Sequence, residues 1–90
     1  MQISCTPLFE QQLKDILERK IQNEDFTEAK KFKLYLDTII INIPTKYKKY
    51  KKSIYFDDEN IRDIIHEGYI ITFYITSADN NYLILGITDK

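Results

Sequence analysis

The stretch that most restricts what this chain can fold into is 60–87, NIRDIIHEGYIITFYITSADNNYLILGI. β-Branched and aromatic residues recur there with a period of two, and two turn signals divide it, so it reads as a three-stranded antiparallel meander. The first strand spans Ile61–His66 and closes at Glu67-Gly68, where glycine supplies the positive φ of a tight hairpin. The second spans Tyr69–Thr76, with Tyr69, Ile71, Phe73 and Ile75 on one face and Ile70, Thr72, Tyr74 and Thr76 on the other. The third, 82–87, follows an Asp79-Asn80-Asn81 turn, whose short polar side chains tolerate left-handed backbone; strict alternation then puts Leu83, Leu85 and Ile87 on one face. Neither face of this sheet is wholly polar. Helices are expected to cover one, and the other is expected to be a partly wet surface where something binds.

Upstream, Ile3 and Cys5 alternate with Gln2 and Ser4, as in a short strand that pairs with the meander. Thr6-Pro7 is a helix start, with threonine as cap and proline where its missing N–H costs nothing. The helix carries Phe9, Leu13, Ile16, Leu17 and Ile21 as an apolar stripe and ends near Gln22-Asn23. A second begins with Asp25 or Thr27 as cap and carries Ala29, Phe32, Leu36, Ile39, Ile40 and Ile43 until Pro44 stops it. The short connection makes the pair an antiparallel αα-hairpin, the natural cover for the sheet. Ile54-Tyr55-Phe56 reads as a short strand or a hydrophobic plug. The expected fold is α+β: an N-terminal strand and an αα-hairpin packed on a small antiparallel sheet, all in a single domain over 1–90.

The net charge of −1 conceals an uneven distribution, because five lysines fall within 46–52, KYKKYKK, and leave the rest of the chain strongly acidic. One cysteine excludes an internal disulfide, and one His with one Cys cannot assemble a zinc or iron–sulfur site, so no metal and no cofactor is expected. No stretch approaches the roughly 20 apolar residues of a membrane span. A cytoplasmic protein without membrane contact is the expectation, with Cys5 as a small buried hydrophobe.

Strand, helix, helix, basic loop and meander come in an order that resembles the RelE/ParE superfamily of bacterial toxins from type II toxin–antitoxin systems. The residues that carry the likeness are Ile61-Arg62-Asp63-Ile64, then Gly68-Tyr69-Ile70-Ile71-Thr72-Phe73-Tyr74-Ile75, with the Thr6-Pro7 helix start and the proline after the second helix. The resemblance implies a small growth-inhibiting toxin of the kind associated with plasmid stabilisation. It implies a cognate protein antitoxin as partner, with operator DNA reached only through that antitoxin. Two activities occur in the superfamily, poisoning of DNA gyrase and ribosome-dependent mRNA cleavage. In the RNA-cleaving branch a histidine, arginine or tyrosine motif usually follows the last strand, whereas here Thr88-Asp89-Lys90 follows Ile87. The acidity of the body also departs from strongly basic ribosomal nucleases. The expected reading is therefore a ParE-like, non-enzymatic inhibitor acting by protein contact on gyrase. The alternatives are a RelE-like endoribonuclease and an inactive member kept for antitoxin binding and autorepression.

The candidate target-binding or nucleic-acid-binding residues are Lys46, Lys48, Lys49, Lys51 and Lys52, interleaved with Tyr47 and Tyr50, together with Arg62. Lysines suit phosphates and tyrosines suit stacking, although a solvated charged loop has the same composition. A guanidinium at position 62 suits bidentate capture of a phosphate or carboxylate; the plain alternative is a surface ion pair with Asp58, Glu59 or Asp63. For a nuclease, His66 is the candidate acid or base, with Lys51, Lys52 and Arg62 as phosphate ligands and Tyr74 or Tyr69 stacking a base. Tyr69, Phe73 and Tyr74 read first as core and sheet residues, and Asp57-Asp58-Glu59 as a solvated loop.

Overall fold

Thr6 joins the first helix to the sheet. Its Oγ1 accepts from the Phe9 N–H at 3.0 Å and donates to the Leu85 carbonyl at 2.8 Å, so one side chain caps a helix and ties it to the last strand. The computed structural model describes residues 2–76 and 81–90. The elements are β1 (Gln2–Cys5), α1 (Pro7–Asn23), α2 (Phe26–Ile41), α3 (Ile43–Lys46), a 3-10 helix (Tyr47–Lys49), β2 (Ile61–His66), β3 (Tyr69–Thr76) and β4 (Asn81–Asp89). The Asp79-Asn80 part of the expected second turn lies outside the described residues.

The four strands form one mixed sheet in the order β1-β4-β3-β2, with β1 parallel to β4 and the other pairs antiparallel. The opening strand pairs with the meander, as expected, but in parallel with β4, so the sheet is mixed rather than wholly antiparallel, because α1 carries the chain back over the sheet before the meander begins. Phe9, Leu13 and Ile16 of α1 and Phe32 and Leu36 of α2 are buried against Ile64, Ile71, Phe73, Tyr82, Ile84 and Ile87. Asp25 caps α2, its Oδ1 accepting from the Glu28 N–H at 2.8 Å.

Four details differ from the sequence reading, each for a physical reason. The core face of β4 is Tyr82, Ile84 and Ile87, not Leu83, Leu85 and Ile87, because the register shifts opposite Thr72/Phe73 and Leu85 becomes the extra residue of a bulge. Gln12 stabilises that bulge: its Oε1 accepts from the Ile87 N–H at 2.9 Å, and a Cβ on Gly86 would lie only 2.8 Å from the same oxygen. Pro44 does more than end α2: the chain breaks at Asn42 and starts again as α3 with the proline in its first turn, so the first half of the basic segment is helical rather than loop. Ile54-Tyr55-Phe56 is neither strand nor plug; it is a strap across the sheet's second face, with its three side chains exposed. Cys5 is exposed rather than buried, although partial desolvation, with help from Glu10, pushes its thiol pKa up and keeps it neutral.

The hairpin between β2 and β3 places both Glu67 (φ 48°) and Gly68 (φ 83°) at positive φ, as a two-residue type I′ turn requires. Glutamate pays a steric penalty there that asparagine largely escapes. The variant Glu67→Asn is expected to unfold at higher denaturant with an unchanged slope, gaining about 0.5–1 kcal/mol. A midpoint below that of the parent chain contradicts the turn assignment.

Candidate functional site

Arg62 organises the edge of the sheet where the basic segment sits. It occupies β2 opposite Phe73, on the core face, and its guanidinium reaches three backbone carbonyls. Nη1 donates to Tyr50 O at 3.0 Å and Tyr47 O at 3.3 Å, and Nε donates to Glu59 O at 3.2 Å. It also lies 5.8 Å from the centre of the Tyr47 ring. Tyr47 O already accepts from the Tyr50 N–H within the 3-10 turn at 3.2 Å, so the guanidinium adds a second donor there and caps the Tyr50 carbonyl just past the end of the helix. No ion pair links Arg62 to Asp58, Glu59 or Asp63 among the described residues.

The tyrosines of the basic segment turn inward. Tyr47 packs 5.9 Å from Tyr82, and Tyr50 meets Phe73 edge-on at 5.9 Å. Burial raises the phenol pKa of Tyr50, and of Tyr82 with a smaller push from Tyr47. The lysines take the outer positions: Lys46, Lys48, Lys49, Lys51 and Lys52 are all exposed. Lys48 and Lys49 lie beside the Tyr47 and Tyr50 rings, and Lys52 alone of the five forms an ion pair among the described residues, with Asp57 at 2.8 Å. That lysine, by hydrogen bond and charge, holds the Asp57 carboxyl below its ordinary value. Lys51 and Ser53 continue the sheet past β2, through Asp63 N–H to Lys51 O at 3.1 Å and Ser53 N–H to Ile61 O at 2.7 Å.

A raised phenol pKa has a definite consequence for stability. Both states hold the proton below the unfolded value, so the full stability is present there; as pH rises, the unfolded state loses its phenolic protons first and stability falls. Spectrophotometric alkaline titration is expected to show Tyr50 and Tyr82 ionising above the ordinary phenol range, with unfolding favoured as the pH rises through it. Ionisation of both at the ordinary phenol value in the folded protein contradicts the inward packing.

His66 stands apart from this cluster. It lies at the other end of β2, on the same face as Arg62 but four residues on, roughly 13 Å along the strand. Its ring packs 6.3 Å from Phe32, and its buried Nε2 has no hydrogen-bond partner, with Glu67 Oε2 at 3.6 Å. Lys20 lies over the Phe32 and Tyr69 rings at 4.7 and 5.7 Å. The structure therefore brings Arg62, the lysines and the two tyrosines together at one edge and leaves His66 against the hairpin. No group of acidic, His and Cys side chains suited to a metal occurs among the described residues, and no helix there is long and apolar enough to cross a membrane.

Two apolar surfaces stand out, the second of them on the sheet face expected to be a binding surface. One follows the outside of the hairpin, where Phe26, Leu34 and Ile41 of α2 are all more than 60% exposed and a cavity of about 370 Å³ opens among Leu17, Ile21, Phe26 and Leu34. The other is the second face of the sheet, where the strap divides a recess near Leu8, Phe56 and Leu85 from a groove near Ile54, Ile65 and Ile70. Their signal was present as aliphatic residues outside the two helical stripes and at Ile65, off the core phase of its strand.

The sequence matches the profile of the family described as ParE toxin of type II toxin-antitoxin system, parDE, over residues 3–89. Among solved structures, one described as the chromosomal ParDE TA system from P. aeruginosa superposes with a TM-score of 0.78 at 13% identity. That match covers 99% of this chain and 95% of the other, and it establishes likeness of fold. Comparison with curated proteins gives no match.

Proposed function

Because this chain belongs to the ParE toxin family of type II toxin–antitoxin systems, we propose that it arrests growth by protein contact, with DNA gyrase as its target and a cognate antitoxin as its inhibitor. The observation that carries the non-enzymatic reading is the commitment of Arg62. Its guanidinium is engaged with the carbonyls of Tyr47, Tyr50 and Glu59, and His66 lies roughly 13 Å away along the strand. General acid–base cleavage of RNA needs its proton-transfer group and its phosphate-binding cation within hydrogen-bond reach of one phosphodiester, and these two do not converge.

Contact inhibition makes smaller demands. It requires a rigid surface with apolar anchors and a charge pattern that orients the encounter. The exposed lysines at the β2 edge and the apolar surfaces beside them meet those requirements. The antitoxin, in the same reading, covers apolar surface and neutralises the lysines with acidic residues, in the cytoplasm where both are made. One feature favours the endoribonuclease as a second reading: Lys46, Lys48, Lys49 and Lys51, exposed and without an ion-pair partner among the described residues, suit contact with phosphates.

Purified protein added to gyrase with relaxed plasmid separates the two. Loss of supercoiling, or accumulation of cleaved plasmid, at a stoichiometry near one toxin per enzyme is the expected result. Unaffected supercoiling at saturating protein, combined with cleavage of ribosome-bound mRNA, reverses the order of the readings.

A further inference from the structure

Helix α2 carries more apolar surface than the core uses. Phe32 and Leu36 are buried in the core, yet Phe26, Leu34 and Ile41 are 67%, 64% and 69% exposed. At about 100° per residue, Phe26, Lys30, Lys33, Leu34, Asp37 and Ile41 fall within one arc of roughly 100°, a second stripe beside the core-facing one. Single exposed aliphatic residues are ordinary, but here three share a stripe, and a cavity of about 370 Å³ opens from it toward Leu17 and Ile21 of α1. The charges on the stripe are unevenly used. Lys33 pairs with Asp37 at 2.7 Å, while Lys30 has no ion-pair partner among the described residues.

We propose that this stripe is the contact between two copies of the chain, their α2 helices packed antiparallel about a two-fold axis that passes between Lys33 and Leu34. The order of residues along the stripe is self-complementary under that reversal. Phe26 meets the partner's Ile41, Lys30 meets the partner's Asp37, and Leu34 lies beside the axis; each contact occurs twice, as an isologous interface demands. The partner's Ile41 then comes to the end of the cavity that Ile21 and Phe26 line. Asp37, held by Lys33 on its own helix, gains a second cation across the seam, so Lys30 finds the carboxylate it lacks in the single chain. A parallel pair sets Lys30 against Lys30 and Asp37 against Asp37, and the charges therefore select the antiparallel arrangement. The 16 residues of α2 span roughly 24 Å, a contact at the small end of stable interfaces, so the dimer is expected to form at concentrations on the order of 10–100 μM. This assembly does not depend on which cellular target the chain acts on.

Analytical ultracentrifugation of the full chain from about 1 μM to about 1 mM measures the association. Lys30→Glu places two carboxylates against each other at both contacts of its own dimer, and Asp37→Lys does the same with two ammonium groups. Each variant alone is expected to associate about tenfold more weakly than the parent. Mixed in equal amounts, the two regain an ammonium–carboxylate contact at both positions of a heterodimer, and association is expected to return close to the parent's. Recovery on mixing also shows that both variants are folded. Leu34→Ser, at an exposed position beside the axis, is expected to weaken association about tenfold while leaving the far-ultraviolet dichroism of the chain unchanged. The proposal is overturned if the parent stays monomeric throughout this range, if its dimer survives both Lys30→Glu and Leu34→Ser, or if the mixture remains as weak as its components. A chain that is monomeric alone, with the amides of Phe26, Leu34 and Ile41 shifting only when a different protein is added, gives the stripe to that protein and overturns the second copy as its occupant.

Discussion

Phe73→Ala is expected to lower the free energy of unfolding by about 3–5 kcal/mol, the range for removing a fully buried aromatic side chain. Phe73 is inaccessible to solvent, pairs with Ile84 across the bulge and receives Tyr50 edge-on at 5.9 Å. The loss acts twice: it opens a cavity at the centre of the sheet, and it removes the surface on which the basic segment is anchored. A domain of this size has a total stability of roughly 5–15 kcal/mol, so the variant is expected to be marginal and its denaturation midpoint to fall sharply. Urea unfolding followed by far-ultraviolet dichroism measures the effect. A loss below 1 kcal/mol contradicts the packing described for this residue.

Arg62→Ala is the second large effect, and it separates the structural from the chemical reading of the arginine. Removing the guanidinium leaves three carbonyls without their charged donor and is expected to cost about 1–3 kcal/mol. Arg62→Lys is expected to recover little, because a single ammonium cannot reproduce a planar fork that spans Tyr47, Tyr50 and Glu59. The distinguishing measurement is the titration of Tyr50. With its turn released, the Tyr50 phenol is expected to return toward its ordinary pKa in both variants. If Arg62→Ala instead abolishes growth arrest while stability and the Tyr50 titration stay unchanged, the arginine acts on a target rather than on its own turn.

These two residues also show what could be read before the structure was in hand. Phe73 was legible, since an alternating strand with aromatic and β-branched residues on one face states its burial directly. Arg62 was legible as a special residue, but its partners were not: they are backbone carbonyls, two of them 12 and 15 residues away, and no side-chain pattern marks a carbonyl. The interleaving of lysine and tyrosine at 46–52 suggested stacking platforms. The helical turn at Tyr47–Lys49 instead rotates the rings toward Tyr82 and Phe73, a consequence of Pro44 restarting the helix instead of releasing a loop. The bulge at Leu85 was hidden for a related reason. Leu83, Leu85 and Ile87 alternate without a break, and the bonds that hold the shifted register come from Thr6, on the Leu85 carbonyl, and Gln12, on the Ile87 N–H, some 75 or more positions away. Local periodicity thus recovered the elements and most of the core, while the site depended on contacts between distant segments.

The central claim, a toxin that stops replication by contact rather than translation by RNA cleavage, is tested most directly by pulse labelling in the first minutes after the protein is induced without an antitoxin. Thymidine incorporation is predicted to fall first while methionine incorporation continues. An early fall in methionine incorporation, or no fall in either while soluble protein accumulates, contradicts it.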